Sequence, residues 1–283
     1  MPAGIVAESR RVSGDHVDYD VTYTIDPNGH RMTMGSNDPA ADNVLFMGCS
    51  FTFGQWLNDN QTLPQQFSDA TGRRYNVVNF GVPGYGLHQE VRALELGLAE
   101  PFLKQGKRYI VYSAIADHAR RAGGAYTWAV QGPAYKLGSD GIASFYGNLH
   151  SVAMGSVITT MTRSAFLAHF VVERLIRTGD FDPLPLYVGL VRRARQVAGE
   201  KYHATFIMIF WDDETDGSDE PRLRAMLDQE KISYIPVTSI IPDLVKNAAT
   251  YRVTPVDGHP SEAANRLIAA YLAKHLPDNA LTP

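Results

Sequence analysis

The sequence predicts an α/β protein built on a parallel sheet with helices on both faces. Three observations point there. Short apolar runs bounded by turn residues alternate with longer stretches of helical periodicity. Strand runs are expected at 43–48, 75–80, 108–114, 203–210 and 233–237, with helices at 61–70, 88–104, 218–229 and 260–274. Finally, the chain has 283 residues, 45% hydrophobic and 20% charged, an ordinary composition for a globular protein long enough to bury a large core. This βαβα order is that of a parallel sheet covered on both sides.

Residues 1–40 are read as an N-terminal strand and arm packed on the main domain, which takes up 41–283. Within the arm, residues 16–25 (H-V-D-Y-D-V-T-Y-T-I) alternate with strand period, and Pro27-Asn28-Gly29 makes a turn. Residues 43–54 follow as N-V-L-F-M-G-C-S-F-T-F-G: an apolar burst, broken by Gly48, with Ser50 just beyond it. Parallel α/β sheets hold their ligands at the carboxyl ends of their strands, so Ser50 stands either at a cleft or as a simple helix cap. Thr62, Leu63 and Pro64 open the next helix. Residues 77–86 (V-V-N-F-G-V-P-G-Y-G) give a second buried strand and then a loop with Gly81, Gly84 and Gly86. Such a loop lets backbone approach a ligand, or merely turns. Its spacing is not that of a dinucleotide fingerprint.

After the strand near 108–114, residues 119–200 interrupt the alternation. A hairpin is expected over 126–146 around Gly138-Ser139-Asp140-Gly141, then helices at about 151–177 and 183–200. An insertion there is read as a candidate lid over the active-site end, or as a cap that buries surface or forms a dimer contact. Trp211 and Asp212 end the strand at 203–210, where Trp211 either stacks on a sugar ring or packs in the core. Residues 256–265 (V-D-G-H-P-S-E-A-A-N) place Asp257 and His259 one residue apart, just before the last helix.

The chemistry that joins these segments is nucleophilic. A serine hydroxyl needs a base at neutral pH; imidazole can take its proton, and a carboxylate can fix the tautomer and stabilise the imidazolium. Asp257 and His259 can project together, although Asp257 could equally cap the helix. A backbone N–H of the glycine loop can stabilise an oxyanion.

Taken together, the three segments resemble the SGNH, or GDSL-like, hydrolase superfamily, whose members include serine esterases and O-acyltransferase-like proteins. Gly48-Cys49-Ser50 matches the nucleophile block, Asn79, Gly81 and Gly84 match an N-x-G-x-x-G block, and Asp257 and His259 match the last block. The resemblance runs over 43 to about 118 and resumes near 256. It implies a three-layer αβα, flavodoxin-like sheet, with Ser50, Asp257 and His259 as catalytic residues and the N–H groups of Ser50 and Gly81 as the oxyanion hole. Two departures stand out. Ala116 occupies the place of a side-chain oxyanion donor, an Asn, and the Asp–His spacing is D-x-H rather than D-x-x-H. Asp117 and His118, beside the vacancy, join Trp211 as candidate substrate contacts. Arg120 and Arg121 could hold an anion or be solvated. Cys49 precedes the nucleophile position and is read as a small apolar residue.

The expected activity is hydrolysis of small O-acyl esters, acetyl esters among them, on a small molecule or a carbohydrate, through an acyl-serine. Two alternatives stay open: transfer of the acyl group to a sugar hydroxyl, and a catalytically degenerate carbohydrate-binding or assembly protein. A formal net charge of -4 argues against a general nucleic-acid binder. The histidines lack metal-ligand spacing, so no metal and no cofactor is expected. The single cysteine forbids an intramolecular disulfide. No run of about 18 apolar residues could span a membrane, and residues 1–15 lack the apolar core of a signal peptide. The chain as given reads as cytoplasmic, or periplasmic if an export segment was removed. Its oligomeric state is left open.

Overall fold

The structure is a computed structural model and describes residues 3–129, 131–149, 182–213, 219–254 and 257–276. Five parallel strands form the central sheet: β3 (Asn43–Gly48), β4 (Asn76–Asn79), β5 (Arg108–Ala114), β8 (Ala204–Phe210) and β9 (Ile235–Pro236). Their spatial order is β4-β3-β5-β8-β9. Counted among the sheet strands alone this is 2-1-3-4-5, the flavodoxin-like order, with its reversal between β3 and β5. Asn43 pairs with Arg108 and Gly48 with Ser113 across that reversal.

Strand parity builds the three layers. Leu45, Met47, Ile110, Tyr112, Met208 and Phe210 enter one buried cluster, while Val44, Phe46, Tyr109, Val111, Ile207 and Ile209 enter the other. Successive side chains leave a strand on opposite faces, so a strand apolar throughout demands cover on both. The first face is covered by α3 (Leu87–Glu95), α4 (Asp117–Ala122), α5 (Leu184–Tyr202) and α6 (Glu220–Gln229). The second is covered by α2 (Leu63–Ala70), α7 (Val237–Ile240) and α9 (Glu262–His275), with Tyr251 of the short α8 (Ala248–Tyr251) packed against it. The three-layer αβα expectation therefore holds.

Local chemistry sets the boundaries. Thr62 caps α2 by accepting from the Gln65 N–H, and Ser261 caps α9 by accepting from the Ala264 N–H. The helix expected over 88–104 ends at Glu95, because Gly97 takes φ +78° and Pro101 cannot continue it. The strand expected over 233–237 shrinks to two residues, since Pro236 removes a ladder donor.

The N-terminal arm is a hairpin rather than one strand. β1 (Val6–Ser13) pairs antiparallel with β2 (His16–Thr24). The insertion hairpin also differs from the expectation: β6 (Pro133–Leu137) and β7 (Ala143–Asn148) pair, while Thr127–Ala129 is a single 3₁₀ turn. The hairpin touches α3 and α5, with the Tyr135 hydroxyl donating to Glu95 at 2.8 Å and the Arg92 guanidinium 3.8 Å from the Phe145 ring centroid. The helix expected over 151–177 lies outside the described residues. Among those residues, no helix is long and apolar enough to cross a membrane.

Candidate active site

Ser50 opens α1 (Ser50–Phe53), a single turn that begins directly after β3. The backbone must reverse in two residues to make this connection. Gly48 takes φ +146°, and a Cβ there would lie 2.5 Å from Thr52 Oγ1 and 3.0 Å from the Ser113 carbonyl. Only glycine fits, so any side chain at 48 would displace the turn that carries Ser50. The N–H of Ser50, in the first turn of α1, has no intrahelical acceptor.

His259 and Asp257 arrive from the other end of the chain on β11 (Asp257–Pro260), which pairs with β10 (Arg252–Thr254). A short two-stranded sheet thus holds the pair. The Arg252 guanidinium fixes this sheet by donating to the Gly258 carbonyl and pairing with Asp213. His259 Nε2 lies 2.7 Å from Ser50 Oγ, and His259 Nδ1 lies 2.5 Å from Asp257 Oδ1. The same carboxylate oxygen also accepts the His259 backbone N–H at 2.8 Å. The structure thus brings Ser50, His259 and Asp257 into one hydrogen-bonded row at the carboxyl end of the sheet, beside the strand-order reversal. Ser50 is only 7% exposed.

The imidazole of His259 is packed as well as hydrogen-bonded. Phe51 lies 5.1 Å away and Trp56 4.5 Å away, centroid to centroid. Burial pushes its pKa below the usual 6.5; Asp257 opposes that shift, and the Arg121 and Arg252 charges add to it. A neutral imidazole at neutral pH, with Nδ1 on a carboxylate and Nε2 on a hydroxyl, is placed to accept a proton.

The glycine loop is tied to α1 through Asn79. Its side-chain NH2 donates to the Thr52 carbonyl at 3.1 Å, and its carbonyl accepts the Gly81 N–H at 3.1 Å. A Cβ on Gly81 would lie 2.6 Å from the Phe53 nitrogen, so the loop abuts α1 closely. The Gly81 N–H, read from sequence as an oxyanion donor, is thus already engaged. It can serve an oxyanion only by leaving or sharing the Asn79 bond.

The three candidate substrate contacts fare differently. Trp211 is 2% exposed and belongs to the core, its indole N–H donating to Ser113 Oγ at 3.1 Å. It supports Phe51 edge-on at 5.3 Å and cannot stack on a sugar. His118 is 0% exposed, with Nδ1 2.6 Å from the Tyr112 hydroxyl, and burial pushes its pKa well down. Neither can reach a substrate: strand and helix parity turn both inward. Asp117 is partly exposed, but its oxygens accept from Arg121 Nε at 2.8 Å and from the Tyr126 hydroxyl. Ala116 is buried and offers no side-chain donor. Arg121 is held rather than solvated, because its Nη1 also donates to the Tyr85 carbonyl at 2.8 Å.

Sequence reasoning missed two buried polar side chains of α3, Glu90 beneath the nucleophile turn and His88 beside the glycine loop. Glu90 Oε1 accepts the Gly48 N–H at 3.1 Å. Burial raises the Glu90 pKa well above the carboxylate range and lowers that of His88 to about 3. His88 is therefore uncharged at neutral pH, and burial pushes Glu90 toward its uncharged form. Among the described residues, no group of three or more His, Cys, Asp or Glu is arranged to hold a metal ion.

No protein-family model matches the chain, and no curated protein matches it in sequence. Solved structures do align with it. A G-D-S-L family protein from Desulfitobacterium hafniense aligns over 82% of this chain and 98% of its own, at TM-score 0.45 and 13% identity. A carbohydrate acetylesterase family member from Sinorhizobium meliloti covers 84% and 99%, at 0.42 and 13%. An acetylxylan esterase from Geobacillus stearothermophilus covers 85% and 95%, at 0.38 and 14%. The first of these is described as a member of the G-D-S-L family, the group that the three sequence segments resemble. At such scores the likeness adds nothing to the site geometry, which stands on the chain's own residues.

Proposed function

We propose that the protein is a serine esterase that cleaves small O-acyl esters, with Ser50 as nucleophile, His259 as base and Asp257 as the group that orients it. The observation that carries this reading is the row of two short hydrogen bonds from Asp257 through His259 to Ser50. Ser50 Oγ attacks the ester carbonyl carbon while His259 Nε2 takes its proton. The tetrahedral oxyanion is met by the Ser50 N–H, and by the Gly81 N–H if it gives up Asn79. Collapse breaks the acyl C–O bond, and the imidazolium returns the proton to the leaving alkoxide. A water then attacks the acyl-serine with His259 again as base, releasing the acid and restoring Ser50.

The alcohol half is proposed to be a carbohydrate. Trp128, not Trp211, supports this. It is 62% exposed, stacks on Tyr126 at 4.3 Å, and lies against Gly84 of the glycine loop. An exposed indole offers an apolar face to the C–H side of a sugar ring. Tyr126 in turn donates to Asp117, which gives that residue a supporting rather than a contacting part.

The test is hydrolysis of p-nitrophenyl acetate by pure protein. Ser50→Ala should lower turnover by about 10³-fold or more with the fold retained. Equal turnover by wild type and Ser50→Ala would refute the assignment.

A further inference from the structure

The N-terminal hairpin reaches the site through Trp56, beside an edge-on contact of Tyr23 with Phe53 at 5.5 Å. Trp56 adopts φ +64°, a left-handed conformation that bulky residues seldom take. Its N–H donates to the Tyr23 hydroxyl at 2.8 Å, and its indole stacks on Tyr19 at 5.4 Å with 21° between the planes. The indole then meets the His259 ring nearly edge-on, at 4.5 Å and 70°. Tyr19 and Tyr23 both lie on β2, two turns of the strand alternation apart, so one face of the hairpin supplies both contacts.

The segment around Trp56 is pinned from the same side. Arg31, fully buried in its side chain, donates to Asp59 at 2.6 Å, to the Leu57 carbonyl at 2.7 Å and to the Gly54 carbonyl at 3.2 Å. The Thr22 and Thr24 N–H groups donate to the side chains of Asn58 and Asp59. These bonds run from the arm to both sides of position 56. A left-handed tryptophan persists only where its surroundings over-determine it, and such residues gather at functional sites.

We propose that the N-terminal hairpin is a working part of the active site: through Tyr19 and Tyr23 it holds Trp56 against His259, and Trp56 is a positioning residue for that imidazole. The inference rests on the reading of His259 as base. The imidazole is confined by Ser50 from α1, Asp257 from its own strand, the charges of Arg121 on α4 and Arg252 on β10, and the rings of Phe51 and Trp56. Of these, the Trp56 ring is held by the arm through Tyr19 and Tyr23. Removing the ring lets water reach His259, which favours the charged form and raises its pKa toward the ordinary value. It also frees the ring to turn away from Ser50.

The experiment follows the His259 imidazole by ¹H–¹⁵N NMR titration, its signals assigned with His259→Gln, alongside kcat and KM on p-nitrophenyl acetate. Trp56→Gly keeps the left-handed backbone and deletes the ring. It should raise the His259 pKa and lower kcat by about 10–100-fold, with KM changing less. Trp56→Phe should restore most of both, and Tyr23→Phe, which loses one hydrogen bond and disturbs the fold least, should shift both partway. A His259 titration unchanged in Trp56→Gly and Tyr23→Phe overturns the proposal. The NMR readout does not depend on turnover. A wild type that hydrolyses no ester while its His259 pKa still moves would therefore defeat the esterase reading and leave the arm's role standing.

Discussion

Lowering the pH should charge a buried group of α3, and His88 gives the clearest number. Its ring is 0% exposed, and neither ring nitrogen has a hydrogen-bond partner among the described residues. Burial, with the Arg121 charge adding to it, holds its pKa at about 3. In the unfolded chain the same histidine titrates near 6.5. Between those values the unfolded state binds a proton that the folded state refuses, so stability is fully present above about pH 6.5 and falls as the pH drops. The loss is about 1.4 kcal/mol per pH unit, or about 2 kcal/mol between pH 7 and pH 5. Urea unfolding of wild type and His88→Gln at both pH values reads this directly. His118 acts in the same sense and Glu90 in the opposite one, but both are present in each protein and cancel in the comparison. The wild type should lose about 2 kcal/mol more than His88→Gln on going from pH 7 to pH 5. Equal losses would show that His88 is charged or solvated in the folded protein, against what its burial implies.

Other perturbations separate chemistry from architecture. Because burial lowers the His259 pKa, kcat/KM should rise with pH through an apparent value below 6.5; a limb above 6.5 would contradict the packing of that ring. Asp257→Asn should cut kcat by about 10³–10⁴-fold with Ser50 still in place, and near-wild-type rates would point to another orienting group. Glu90→Gln keeps an acceptor for the Gly48 N–H and should retain activity, whereas Glu90→Leu strands that buried donor and should cost about 1–3 kcal/mol of stability as well as turnover; equal behaviour of the two would remove Glu90 from the support of the turn. Trp128→Ala should raise KM for an acetylated oligosaccharide while leaving p-nitrophenyl acetate unaffected, and Trp211→Ala should cost about 3–5 kcal/mol of stability; the reverse pattern would restore Trp211 as the sugar contact.

Much of this architecture is written locally. An apolar run such as 43–48 states that it is covered on both faces, and the glycine that follows states that the chain turns. Ser50, Asp257 and His259 were legible because each sits in a short segment whose residue types suit one chemistry. Other features depend on distant contacts. Tyr19 and Trp56 meet across 37 positions of chain, and nothing in either segment alone announces the pairing. The sense in which a side chain points was also hidden. Trp211 stands at a strand end that lines the crevice, but parity sends its ring into the core on the α2–α9 side. His118 lies in the first turn of α4, on the face turned toward Tyr112. One signal could have been read and was not. An asparagine often accepts a hydrogen bond from the backbone N–H two residues on, so Asn79 gave notice that the Gly81 N–H had a partner.

The central claim is that Ser50 becomes covalently acylated, and trapping that bond tests it most directly. The protein would be treated with a fluorophosphonate, digested, and mapped by mass spectrometry. One adduct should form, on Ser50, and it should be lost in Ser50→Ala and strongly slowed in His259→Gln. Absence of labelling on the folded wild type, or an adduct on another residue with Ser50 unmodified, would contradict the account.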